Sequence, residues 1–495
     1  MLGTSVIAFA YLGVLALLAA FGAHRLHLLW LLRRAPRAPR PPEPRVWPRV
    51  TVQLPVFNEA TCVRRLLEAV ARLDYPREQL EVQVLDDSTD ETRELLEELV
   101  HDLRARGLDV ALLQRDDRVG FKAGALAAGL AQARGELIAI FDADFVPGPD
   151  FLRRAVPHFA DPELGLVQAR WGHLNREQNL LTRIQAMALD AHFRVEHHAR
   201  SRSGRFFNFN GTAGVFRRAA IEDAGGWSAD TITEDLDLSL RAQLCGWTFR
   251  YLDDLVVPAE LPSTVAALRV QQQRWTRGGA QTARKLLPAL WRAGDFPWRT
   301  RLEACVQLLL GTAYPAMLLL CLLSVPLVWW GYPEPWLAGA QWALIALASG
   351  AVAVFYLAAY PGSWLGGILT ALALFACGLG LSLSNACAFC AGLSRRRASF
   401  RRTPKQGTRG GARYRPRALP ALELGEALLA LYLVGGVVGG LQRGFSGAPL
   451  LLLACGGAAG LAVASARSWI ARPAPPPARA RSAPCPLAES VEQRA

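Results

Sequence analysis

The chain has 495 residues, 52% of them hydrophobic and 20% charged, with a formal net charge of +13. That is too apolar for an ordinary soluble protein of two or three domains; the basic residues cluster beside apolar blocks and no nucleic-acid motif is present, so the charge points to membrane lipids and no nucleic-acid partner is expected. Nine cysteines, several of them inside apolar blocks (Cys305, Cys321, Cys377, Cys455), argue against a disulfide scaffold or a zinc site, and Cys387 and Cys390 form a CxxC with no second pair or His partner that reads as two buried thiols.

Leu2 to Gly22 carries no charge and has the ~20 residues a helix needs to cross a ~30 Å hydrocarbon layer. Arg33, Arg34, Arg37, Arg40, Arg45 and Arg49 follow this run, whereas a signal peptide carries its positive charge in front. Residues 1–32 are therefore expected to be an uncleaved anchor with its N-terminus outside, and 33–49 a basic, Pro-rich linker along anionic head groups on the cytoplasmic side.

Across residues 50–302 the pattern changes. Val50 to Leu54, Glu81 to Leu85, Asp109 to Leu113 and Glu136 to Phe141 read as strands, and Thr61 to Leu73, Asp90 to Arg106 and Lys122 to Arg134 as helices between them. A βαβ succession predicts an α/β domain with a largely parallel sheet, whose ligand site lies beyond the carboxyl ends of its strands. Three of those ends read "LPVFNEA", "LDDSTDE" and "FDADFVP", so Glu59, Asp87, Asp142 and Asp144 are expected at one edge of the sheet. Such crowding is costly unless cations or hydrogen-bond donors offset it. Asp90 either joins this group or caps the helix after it.

Beyond Leu302 come five apolar blocks, near Cys305 to Trp330, Trp336 to Ala359, Trp364 to Ala391, Ala421 to Leu441 and Ala448 to Ile470. They divide the region into membrane or interfacial helices over 303–393, a basic loop without one acid over 394–420, membrane helices over 421–470 and a Pro-rich tail over 471–495 that reads as disordered and cytoplasmic. Positive-inside logic puts the basic loop on the side of the α/β domain. An even number of crossings must then separate Leu302 from Ser394, yet three blocks lie there; the second half of the third, with Ser382, Ser384 and Asn385 as a polar stripe, is expected to lie in the interface. Trp329 and Trp330 read as an outer interface marker.

Asp142-x-Asp144 after an apolar strand suits a hard divalent cation, Mg²⁺ or Mn²⁺, shared with diphosphate oxygens; such a cation makes a diphosphate a competent leaving group. In "TITEDLDLSL", Thr233, Glu234 and Asp235 stand at a helix start, as cap and dipole partners or as site residues. In "VQQQRWTRGG", Gln271, Arg274 and Trp275 form either a surface stripe or a platform for a sugar ring and a phosphate. His192, Glu196, His197 and His198 mimic a metal site but read as a solvated or interfacial helix face, and Asn208, Asn210 and Thr212 in "FNFNGTAG" shape a Gly turn or serve the site.

"LDDS" at Leu85 to Ser88, "DAD" at Asp142 to Asp144, "TED" at Thr233 to Asp235 and "QQQRW" at Gln271 to Trp275 occur in this order between membrane blocks. Together they resemble the D, DxD, TED and QxxRW set of processive family 2 glycosyltransferases, the cellulose synthase-like superfamily. The wording "VQVLDDSTDET", "VQARW" and "FNFNGTAGVFRRAAIEDAGGW" is most similar to its mannan and glucomannan synthase-like branch. "FRRTPK" resembles the FxVTxK gating loop of cellulose synthases, with Phe400, Thr403 and Lys405 matching and Arg402 where that pattern has Val.

The resemblance implies an α/β GT-A (Rossmann-like) cytoplasmic domain joined to an α-helical transmembrane region, in a multi-pass protein of the inner cell membrane. It implies an inverting hexosyltransferase that extends a β-linked polysaccharide of mannan, glucomannan or glucan type from GDP-mannose or UDP-glucose with Mg²⁺ or Mn²⁺. Asn58, Glu59, Asp87, Lys122 and Asp142 would bind the donor, Asp142 and Asp144 the metal, and Asp235 would be the base. Glu234, Gln271, Arg274, Trp275 and Thr212 would bind diphosphate and acceptor. Transfer of one or two sugars to a lipid acceptor, and a non-catalytic transporter or scaffold, remain as alternatives.

Overall fold

Alternate side chains of an extended chain point to opposite faces, and the first four strands use both faces for core. In this computed structural model, which describes residues 2–35, 41–115, 117–332, 334–394, 420–444 and 448–470, the strands are β1 (Val50–Val56), β2 (Leu80–Asp86), β3 (Asp109–Gln114) and β4 (Leu137–Ile140). Val52, Leu54, Val82, Val84 and Ala139 pack under the helices α2 (Val63–Ala71) and α3 (Thr92–Ala105), whereas Leu85, Ile138 and Ile140 pack under α4 (Phe121–Gln132). At about 1.5–3 kcal/mol for each fully buried aliphatic side chain, this double cover accounts for the apolar strand sequences. Polar exceptions satisfy one another across the register: Thr51 donates to Glu81 at 2.6 Å and Gln53 to Gln83 at 3.0 Å.

Three more strands, β5 (Leu164–His173), β6 (Gly214–Arg217) and β7 (Thr248–Ala259), complete one sheet of order β3-β2-β1-β4-β6-β5-β7. β6 pairs antiparallel with both β4 and β5, so the sheet is mixed on this side, where a largely parallel one was expected. Around these strands lie α5 (Phe151–Ala155), α6 (Leu180–Ala191), α7 (His198–Arg202), α8 (Arg218–Asp223) and α9 (Glu234–Leu244). A π turn, His192–His197, joins α6 to α7. The 28-residue α10 (Val265–Arg292) follows β7 and carries "QQQRW".

The apolar part comprises α1 (Leu2–Arg34), α11 (Trp298–Leu309), α12 (Ala313–Trp330), α13 (Pro335–Ile345), α14 (Ala351–Ala359), α15 (Trp364–Gly380), α16 (Ser382–Leu393), α17 (Pro420–Arg443) and α18 (Ala448–Ile470). Among the described residues four helices, Gly3–Arg34, Trp298–Trp330, Pro335–Ala359 and Leu422–Arg443, are long and apolar enough to cross a membrane, which makes this a membrane protein. α15 and α16 pass the same test together but meet at 53°. Small residues let neighbouring backbones touch: a Cβ on Gly457 of α18 would lie 1.8 Å from the Ala376 carbonyl oxygen of α15.

Two expectations are corrected here. Ser382, Ser384 and Asn385 are fully buried, and Gln273 of α10 donates to Ser384 at 2.9 Å, so the polar stripe serves α10 and not the head groups. Cys387 and Cys390 are exposed on α16, where buried thiols were expected. Phe400, Thr403 and Lys405, with the rest of the basic loop and the tail, lie outside the described residues.

Candidate active site

The carboxyl ends of β1, β2 and β4 open into a cavity of about 190 Å³. Glu59 comes from the turn after β1, Asp87 from the end of β2, and Asp142 and Asp144 from the turn after β4; all four line the cavity. Lys122 faces them from the first turn of α4, Glu234 and Asp235 from the first turn of α9, and Gln271, Arg274 and Trp275 from α10. The last three lie at i, i+3 and i+4 of one helix and so share a face. The surface-stripe reading fails for them because that face lines the cavity.

Asp235 and Lys122 define the electrostatics. Lys122 donates to Asp142 at 2.5 Å and to the Gly211 carbonyl at 2.8 Å. Burial opposes its charge, but Asp142, Glu234 and Asp235 outweigh that and raise its pKa above the ordinary lysine value. Burial, reinforced by the Glu234 carboxylate, pushes Asp235 up from 3.8 to about 7, against the opposing pull of Lys122 and Arg274. Glu234 is raised by the same burial, with Lys122 pulling against it. Partial burial and a neighbouring acid thus raise the Asp235 pKa to about 7, the condition for a base that takes and returns a proton.

The loop between α7 and β6 seats these groups. Gly211 has φ +83°, a conformation that excludes most side chains, and a Cβ there would lie 3.0 Å from Asp235 Oδ2. Thr212 is fully buried and its hydroxyl accepts the Asp142 N–H at 2.8 Å. It does not line the cavity, so the contact with diphosphate or acceptor expected of it gives way to seating Asp142. Asn58 is also absent from the lining: its φ is +55° and its side-chain oxygen accepts the Thr89 N–H at 2.8 Å, bracing the turn that carries Asp87. Asp90 accepts the Thr92 N–H at 3.0 Å, the capping reading.

Thr233 stands at the N-cap of α9 without a capping hydrogen bond; its hydroxyl meets that of Thr282 on α10 at 3.2 Å. α10 comes this close because position 278 is glycine: a Cβ there would lie 2.3 Å from Thr233 Cγ2. Gly278→Ala is expected to push α10 away from α9. A helix-interior Ala gains at most about 1 kcal/mol over Gly, whereas overpacking costs about 1–3 kcal/mol. Reduced thermal stability and turnover, measured on the same preparation, are the expected outcome.

Some site residues carried no sequence signal. Arg115 makes a two-pronged ion pair with Asp87 at 2.8 and 2.5 Å. The Arg118 guanidinium lies 3.2 Å from the centre of the Phe57 ring at the same end of the cavity. Both arginines sit in a loop with neither periodicity nor motif. The histidine group also differs from expectation. His197 is fully buried and donates to the Asn208 carbonyl and to Asn210 Oδ1 at 2.9 and 2.6 Å, so the segment is a packed polar junction and not a solvated face. Among the described residues no group of three or more His, Cys, Asp or Glu is placed to hold a metal. Asp142 and Asp144 still fit a hard cation that takes its remaining ligands from a phosphate, since both are oxygen donors on one turn at the cavity wall.

A mixed sheet with acidic turns at its carboxyl edge, matched by a structural neighbour, defines a GT-A-type, Rossmann-like fold. Residues 48–278, a little under half of the chain, match the family model described as Glycosyltransferase like family 2. Glucomannan 4-beta-mannosyltransferase 2 of Arabidopsis thaliana is 47% identical over 251 residues, 50% of this chain and 47% of that protein. Glucomannan 4-beta-mannosyltransferase 1 of Oryza sativa subsp. japonica is 45% identical over 251 residues, 50% of this chain and 48% of that protein. The chain thus spans about half the length of the curated relatives it matches. Among solved structures, mannosyltransferase PcManGT from Pyrobaculum calidifontis, in complex with GDP-Man and Mn²⁺, superposes with a TM-score of 0.54 at 24% identity, over 72% of this chain and 97% of that one.

Proposed function

We propose that this chain is an inverting β-mannosyltransferase that extends a mannan or glucomannan type polysaccharide from GDP-mannose at the cytoplasmic face of the inner cell membrane. The observation that carries the reading is the half-buried Asp235, its pKa raised to about 7, on the wall of the same cavity as the Asp142 and Asp144 carboxylates. The names of the curated relatives and the GDP-Man bound to PcManGT favour mannose over glucose and guanine over uracil.

In this reading Asp235 removes the proton from an acceptor hydroxyl. The hydroxyl oxygen bonds to the anomeric carbon from the face opposite the diphosphate, and the bond from that carbon to the diphosphate oxygen breaks. Configuration inverts, and the nucleoside diphosphate leaves. Arg274 and Lys122 supply positive charge to the departing diphosphate from fixed positions on the cavity wall. Asp142 and Asp144 would hold a divalent cation, Mg²⁺ or Mn²⁺, which when bound offsets diphosphate charge. Asp87 and Glu59 serve the nucleotide end, where Asp87 exchanges its Arg115 partner for the nucleotide, and Trp275 with Gln271 offers the terminal acceptor sugar an aromatic face and an amide.

Nucleoside diphosphate release from purified membranes, measured with a panel of donors, tests the proposal. GDP-mannose is expected to give turnover and an alkali-stable β-mannan. Turnover with UDP-glucose alone would overturn the donor assignment, and a short glycolipid as sole product would overturn the polymer.

A further inference from the structure

A polar chain runs from the floor of the cavity into the N-terminal membrane helix. Asn210, which lines the cavity beside Gly211 and Asp235, donates to His192 Nε2 at 3.1 Å. The other ring nitrogen of His192 meets Glu196 at 3.1 Å. Glu196 ion-pairs with Arg25 of α1 and with Arg200, the latter at 3.3 Å. The fully buried Arg200 donates onward to Glu303 of α11 at 3.0 Å, and Glu303 returns to α1 through His24 at 2.9 Å. On the same side Gln307 of α11 donates to Asn208 at 2.7 Å.

Two arginines and two glutamates balance to zero, which lets the group be buried as a unit. Buried ion pairs are nevertheless no more stabilising than well-packed apolar side chains, and losing one member strands a charge. Stability alone is thus a weak reason for such a chain. Geometry is a stronger one, because its last member sits on the loop that touches three parts of the site. Gly211 packs against the Asp235 carboxylate and accepts from Lys122, and Thr212 accepts from the Asp142 backbone.

We propose that α1 is a positioning element of the transfer site: Arg25, through Glu196 and His192, holds Asn210 and with it the loop that places Asp235, Lys122 and Asp142. Arg25 is a positioning residue, not a catalytic one. The inference rests on the reaction assigned above for its kinetic consequence, but not for the placement of the loop.

The test uses the full chain in membranes, with Arg25→Met, Asn210→Ala and the double variant. Misplacing reacting groups by about 1 Å can cost about 100-fold, so Arg25→Met is expected to lower kcat about tenfold to 100-fold at unchanged nucleotide affinity, with a lower unfolding temperature because Glu196 loses one of its cationic partners. If Arg25 acts through Asn210, the double variant turns over no more slowly than Asn210→Ala. Hydrogen exchange of the 208–213 amides should quicken in Arg25→Met while that of β1 and β2 does not. Arg25→Lys, which keeps the charge but loses the planar fork, takes the place of Arg25→Met if that variant does not fold. A wild type without turnover whose loop still loosens in the variant would sink the reaction and leave the positioning standing. Additive losses in the double variant, or unchanged loop exchange, would overturn the positioning.

Discussion

Asp235→Asn is expected to leave donor binding intact and to lower kcat by about 10²–10⁴-fold, the range that one well-placed general base contributes. The base must be deprotonated to act. Because burial and Glu234 hold Asp235 at about 7, kcat/KM of the wild type should fall about tenfold per pH unit below pH 7, and this limb should vanish in the variant. Stability moves the other way. A carboxylate held at about 7 in the folded chain, against 3.8 in the open one, loses stability as pH rises between those values, because the native state keeps the proton that the unfolded state releases. The Asn variant should therefore be no less stable than wild type at pH 8, which separates lost chemistry from lost fold. Full turnover by the Asn variant in the donor assay would refute the base assignment.

Removing divalent metal is expected to abolish nucleotide release, and restoring Mg²⁺ or Mn²⁺ to recover it. Charge stabilisation by a bound cation is worth several kcal/mol, so the drop should reach about three orders of magnitude. Asp144→Asn should shift the metal concentration for half-maximal turnover upward at unchanged donor specificity. Asp142→Asn should do more, since it also releases the Lys122 ammonium from its 2.5 Å partner. Turnover at the wild-type rate in excess chelator would exclude the metal assignment for this pair.

Much of the domain could be read before folding. The first four strands fall within two residues of their expected bounds, because strands covered on both faces must be short apolar runs and leave little room for another reading. The grouping of Glu59, Asp87, Asp142 and Asp144 on one cavity was legible for a related reason: parallel strands present their carboxyl ends on the same side, so acids after successive strands meet. The antiparallel β6 was not legible. Its four residues, Gly214–Arg217, carry no mark of direction, which is decided by pairing with β4 and β5.

Composition and order along the chain by themselves determined a membrane-flanked α/β domain with acids at its strand ends and a cation–aromatic helix after it. These depend on period and spacing, which are local. Only the tertiary structure decided where the remaining polar groups went: Thr212 beneath Asp142, Arg115 onto Asp87, Ser384 onto α10, and His192 between Asn210 and Glu196. Each joins segments distant in sequence, and a buried polar atom takes whichever partner packing brings within about 3 Å. No local pattern encodes that choice.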